Sequence, residues 1–182
     1  MSFFSEFLKN PQMTGAVAPS SRFLTRKMLA PIDFSTTKCI VELGPGSGCF
    51  TKKLLESMRP DARLFSIELN PDFVKKLRQI KDPRLTIIEG NALDLPGLVK
   101  NRRVDYVISG LPLGGMNKLT VATILQGVRK VLGKGKYVQF QYSPIHHRRF
   151  SRMFNISVAF VPINIPPALV YTCTAKPRVS PS

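Results

Sequence analysis

The sequence predicts an α/β domain: a mostly parallel sheet covered by helices on both faces and closed by a C-terminal antiparallel strand pair. Three observations predict it. Short apolar runs of strand length alternate with amphipathic stretches of helix length from residue 39 to residue 142, the pattern of right-handed βαβ crossovers. The first run passes straight into a glycine-rich turn and then a helical pattern, the usual entry to a ligand cleft outside the carboxyl ends of the strands. The last two runs, 157–161 and 168–174, are joined by the proline-rich link PINIPP without room for a helix, so they pair antiparallel.

Taken in order, residues 1–33 form an N-terminal amphipathic helix and a segment that gates cofactor and substrate. Strands follow at 39–43, 63–67, 85–88, 104–109 and 137–142, with helices at 47–57, 71–79 and 117–132 and a short turn near 93–99. Asn70 and Pro71 begin the second of these helices as N-cap and first helical residue. Asp94 caps the short turn. With the terminal pair the sheet has seven strands, the domain runs from 34 to 176, and 177–182 is expected to be a disordered end. At 182 residues the chain has room for one such domain and little room for a separate substrate-recognition domain.

Lysines and arginines number 27 against 11 acids, a net charge of +16 spread along the chain. Such a surface attracts polyanions, either nucleic acid phosphates or an anionic membrane leaflet. Cys39, Cys49 and Cys173 lack metal-ligand spacing, and an odd count without a framework suits a reducing cytosol. No apolar run reaches the length of a membrane span and no signal peptide is evident. The expected location is cytoplasmic, with at most peripheral membrane association, as a monomer without metal.

The chemistry concentrates in CIVELGPGSG at 39–48. Gly44 and Gly46 can take positive φ and carry no Cβ, Pro45 and Ser47 complete the turn with Gly48, and the following helix points its first N–H groups into it. The dinucleotide fingerprint would need a third glycine where Cys49 stands. Glu42 would sit badly beside a pyrophosphate but well beside an ammonium group, so the ligand expected has an amino-acid tail and an adenosine head. Glu68 ends the second strand 20 residues after Gly48, where a carboxylate can accept hydrogen bonds from both ribose hydroxyls.

These residues resemble the first motifs of class I S-adenosylmethionine-dependent methyltransferases, a Rossmann-like fold. The resemblance implies S-adenosylmethionine as cofactor, S-adenosylhomocysteine as product, and a binding set of Glu42, Gly44, Pro45, Gly46, Ser47, Gly48, Glu68, Leu69, Asn91, Ala92, Ser109 and Gly110. Asn91 stands where the family reads the adenine amino group. The run SGLPL at 109–113 stands where the family keeps the residues nearest the transferred methyl, with Ser109 as the polar residue and Leu113 in place of a base-stacking aromatic.

SGLPL also resembles the corresponding segment of the bacterial phospholipid N-methyltransferases. So do FLKNPQMTGAVAPSS at 7–21, Tyr142-Ser-Pro144, and Asn164-Ile-Pro-Pro-Ala168. This resemblance implies stepwise methylation of phosphatidylethanolamine towards phosphatidylcholine at a membrane surface. Tyr142 is the expected residue to orient the amine or relay its proton, together with Ser109. Phe3, Phe4, Phe7 and Leu8, with nearby cations, form a segment able to lie in a membrane interface. Pro112, His147, Arg148 and Arg149 are expected at the substrate entrance. Two other readings compete: an rRNA adenine N6-methyltransferase, which would make nucleic acid the partner, and a noncatalytic binding module. Leu113 and the missing RNA-binding domain weigh against the first, and joint retention of Glu42, the glycines and Glu68 against the second.

Overall fold

A computed structural model describes residues 22–100 and 102–176. The predicted N-terminal membrane segment (Phe3, Phe4, Phe7 and Leu8) and the end 177–182 lie outside the described residues.

The described chain runs α1 (Arg22–Leu29), β1 (Cys39–Leu43), α2 (Cys49–Ser57), β2 (Arg63–Glu68), α3 (Pro71–Leu77), β3 (Leu85–Glu89), α4 (Leu95–Leu98), β4 (Tyr106–Ser109), α5 (Lys118–Leu132), β5 (Lys136–Gln141), α6 (His147–Met153), β6 (Phe154–Val161) and β7 (Ala168–Ala175). One seven-stranded sheet takes the order β3-β2-β1-β4-β5-β7-β6. The first five strands are parallel and β7 is antiparallel to both its neighbours. The predicted fold class stands as read.

Alternation along β1 sends its side chains to two cores, because successive residues of a strand point to opposite faces. Ile40 joins Leu24 and Met28 of α1 and Phe50 and Leu54 of α2 on one face. Cys39, Val41 and Leu43 join Val121, Leu125 and Val128 of α5, together with Phe150 and Phe154, on the other. Burial pushes the Cys39 thiol up to about 11 and the Cys173 thiol up to about 12.

Local rules account for the helix starts. Asn70 accepts from Asp72 N–H at 2.9 Å with Pro71 next, and Asn117 caps α5 by accepting from Thr120 N–H at 2.8 Å, each satisfying an orphan donor of the first turn. Asp94 differs from expectation. It makes no side-chain cap bond; Asn91 caps the turn Ala92–Asp94 through Leu93 N–H at 3.0 Å. A helix that the sequence reading did not assign, α6, spans the basic stretch His147–Met153. Phe150 is wholly buried there and stacks on Tyr171 at 4.8 Å, an anchor hidden in the sequence by the flanking arginines.

Candidate active site

β1 and β4 lie side by side, and their outgoing chains run to opposite sides of the sheet, which opens a crevice at their carboxyl ends. The backbone closes tightly at its base. Gly110 N–H donates to Leu43 O at 2.9 Å and Gly44 N–H to Ile67 O at 3.0 Å. A Cβ on Gly110 would come within 2.8 Å of Gly44 O, so two strand ends meet here without side chains between them. Above them the turn is open: Gly46, at φ +54°, has nothing within 4 Å of where its Cβ would stand. Gly48 precedes α2 at φ +83° with no side chain capping the helix, which leaves first-turn N–H groups for a ligand.

Glu42 is fully buried beneath this turn. One of its oxygens accepts from both Thr51 Oγ1 and Ser66 Oγ, each at 2.7 Å, while Oε1 has no hydrogen-bond partner. Burial pushes the carboxyl up to about 7; the Ser66 and Thr51 hydroxyls oppose that shift and nearby Glu68 adds to it. An orphaned buried carboxylate oxygen needs either a proton or a cationic donor, so the residue fits the ammonium role read from the sequence.

Glu68, 6 % exposed, closes onto the same turn. Its Oε2 accepts from Gly46 N–H at 3.0 Å and its Oε1 from Leu69 and Asn70 N–H at 2.9 Å each. The structure thus brings Glu42, Gly44, Pro45, Gly46, Ser47, Gly48, Glu68 and Leu69 to one place. Asn91 and Ala92 follow β3 at the same edge of the sheet, but the Asn91 oxygen read as an adenine acceptor already accepts from Leu93 N–H.

Ser109 is also placed differently from a group facing substrate. It is fully buried, its Oγ accepts from Leu111 N–H at 3.3 Å, and it lies near the Tyr137 phenol, which donates to Gln139 Oε1 at 2.7 Å. It positions the loop 110–113. Two further side chains hold the same loop. Gln139 Nε2 donates to Leu111 O at 3.0 Å, and His146 Nε2 lies 2.8 Å from Leu113 O. Their signal was available: Gln139 is a polar side chain in the middle of an apolar strand, and His146 immediately precedes α6.

Tyr142 stands 40 % exposed at the end of β5, edge-on to Phe140 at 5.4 Å and with Asn164 close enough to act on its phenol. Asn164, itself buried, donates to Pro166 O at 2.7 Å. The segments 142–144 and 164–168, distant in sequence, are therefore one feature in space. His147 and Arg148 are exposed beside it, and the Arg149 guanidinium donates to Lys118 O. A separate groove of about 660 Å³, lined by Arg103, Asp105, Lys130 and Lys136 among others, lies at the opposite end of the strands and includes none of the predicted site residues.

Sheet order and the glycine turn over a buried carboxylate define a class I methyltransferase domain, and the Methyltransferase domain family matches residues 40–135. An ornithine lipid N-methyltransferase of Singulisphaera acidiphila is 33% identical over 179 residues, 94% of this chain and 93% of that one. A ribosomal RNA small subunit methyltransferase A of Parasynechococcus marenigrum is 36% identical over 72 residues, 38% of this chain but 23% of that one. Among solved structures, M. capricolum TrmK in complex with S-adenosylhomocysteine superposes with a TM-score of 0.64 at 12% identity, covering 84% of this chain and 67% of that one. The chain belongs to the class I S-adenosylmethionine-dependent methyltransferases, in the family that includes the bacterial lipid N-methyltransferases. Its cofactor is S-adenosylmethionine.

Proposed function

We propose that this protein N-methylates the primary amine of a membrane lipid headgroup. The observation that carries the reading is the likeness to an ornithine lipid N-methyltransferase along nearly the whole of both chains, whereas the rRNA methyltransferase likeness stops at less than a quarter of that relative. Bound S-adenosylmethionine supplies a methyl group on a sulfonium, open to in-line displacement by an amine lone pair.

The residues of this chain do the rest. Glu42 balances the ammonium of the cofactor's amino-acid tail, Glu68 takes the ribose hydroxyls, and the bare Gly46 lets the ligand approach the backbone. Gln139, His146 and Ser109 fix the 110–113 loop, including Pro112, so that its carbonyls are held still at the reacting edge, where orientation supplies much of the rate. Burial raises the Tyr142 phenol pKa, opposed by the nearby Asn164. It therefore stays protonated at neutral pH and orients the amine through a hydrogen bond rather than acting as a strong base.

Two headgroups fit this reading. Phosphatidylethanolamine, with its methylated intermediates leading to phosphatidylcholine, follows from the SGLPL and NIPPA segments; ornithine lipid follows from the full-length relative. Pure protein incubated with methyl-labelled S-adenosylmethionine and vesicles of each lipid, and separately with ribosomal RNA, separates them. Label in a lipid phase is the expected result and names the headgroup. Label in RNA alone overturns the lipid reading.

A further inference from the structure

Four large aliphatic side chains stand in solvent around the site: Leu119 at 77 %, Ile145 at 67 %, Ile163 at 63 % and Ile165 at 86 % exposure. Three different connections supply them: the entry to α5, the β5–α6 link and the β6–β7 link. All three leave or enter the sheet at its carboxyl end, since β6 runs antiparallel to β7 and β7 antiparallel to β5. The links are tied to one another by His146 to Leu113 O and by Arg149 to Lys118 O, and Asn164 of the β6–β7 link lies beside Tyr142. Scattered exposed aliphatics are ordinary, but four on one braced rim around an active-site mouth are a surface.

Charge indicates what this surface meets. No aspartate or glutamate follows Asp105 in the sequence, so every connection that builds the rim is free of acids. Exposed Lys118 and Arg148 lie among the aliphatics. A partner with negative charge and an apolar interior matches that combination. Single-stranded nucleic acid would be met by aromatic stacking platforms, whereas three isoleucines and a leucine suit acyl chains. A second copy of the chain would set these cations against themselves.

We infer that the rim of Leu119, Ile145, Ile163 and Ile165 is the surface by which this protein docks on an anionic lipid bilayer, with its active-site mouth turned to the headgroups. The inference rests on the lipid-methylation reading and adds the docking surface to it. Aliphatics enter the interface while the neighbouring cations pair with anionic headgroups.

The test uses the full chain and phosphatidylcholine vesicles containing phosphatidylglycerol. Ile145→Ser/Ile163→Ser/Ile165→Ser should partition onto them at least about tenfold more weakly than wild type, because three buried aliphatic chains are lost. Ile165→Ser alone, at the most exposed position, should lose about threefold, and it covers the case in which the triple variant fails to melt cooperatively. Methylation of amine lipid dispersed in detergent micelles should stay within about twofold of wild type, since docking is then bypassed. Wild-type partitioning by the folded variants overturns the inference. Concentration-dependent self-association that the variants abolish assigns the rim to a second copy and equally overturns it. Failure of wild type to methylate any micellar amine lipid sinks the catalytic reading instead, while sedimentation still judges the docking surface.

Discussion

At the scale of the residue, Glu42 makes an electrostatic statement that can be tested. Its carboxyl, pushed up to about 7 by burial, holds its proton in the folded state at pH values where the unfolded chain, with an ordinary carboxyl near 4.5, has lost it. The folded state then binds more protons, so stability falls as pH rises from about 4.5 to about 7 and flattens above. Glu42→Gln should lack that component: its stability relative to wild type should climb across this window in urea titrations at successive pH values. Equal slopes would show that Glu42 titrates alike in the folded and unfolded chain. Glu68 braces three backbone N–H groups and, in the function proposed above, also takes the ribose, so Glu68→Ala should cost about 1.5 to 3 kcal/mol of cofactor affinity and lower stability as well. Calorimetry together with thermal melts reads both. Tyr142→Phe removes only the hydroxyl, so kcat should fall several-fold more than cofactor affinity; matched losses would place the phenol in the cofactor pocket.

At the scale of the element, the junction of β1 with β4 is where packing leaves no slack. Gly110→Ala would drive a Cβ to 2.8 Å from Gly44 O, a backbone atom that cannot rotate away, so the strand ends must part. We expect a loss of about 1–3 kcal/mol of stability and weaker cofactor binding. Gly46→Ala offers the contrast, because nothing stands within 4 Å of the new Cβ. Its cost in the free protein is confined to a positive φ, roughly 1 kcal/mol, and any larger loss should appear only in cofactor affinity. Denaturation curves for both variants, with and without cofactor, separate crowding within the fold from crowding of the ligand.

At the scale of the whole molecule, charge and topology cooperate. A net charge of +16 draws the protein to anionic surfaces generally, while the carboxyl end of the sheet gathers both the chemistry and the exposed aliphatics on one side. Binding to anionic vesicles should weaken steadily as salt rises, because screening shortens the reach of surface charges to about 10 Å at 0.1 M. Binding to purely neutral vesicles should be much weaker and nearly indifferent to salt. Sedimentation across a salt series checks both, and salt-independent binding to anionic vesicles would assign the attraction to insertion alone. Among the described residues no helix is long and apolar enough to cross a bilayer.

The sequence by itself determined the strands of the parallel sheet, the glycine turn, the acids at the ends of β1 and β2, and the terminal antiparallel pair. Each of these is written locally, in the period of apolar residues, in glycine spacing, or in a link too short for a helix. Only the tertiary structure decided what depends on partners far along the chain. Glu42 is pushed towards its neutral form by burial, against the hydroxyls of Thr51 and Ser66 from two other elements. Ser109 faces inward because Tyr137 meets it there. The stretch His147–Met153 is a helix because Phe150 finds Tyr171, and Asn164 comes beside Tyr142 from a distant link. Periodicity reports which way a residue faces along its own strand or helix; burial, protonation and the joining of loops into one rim are set by contacts between segments, which no local pattern encodes.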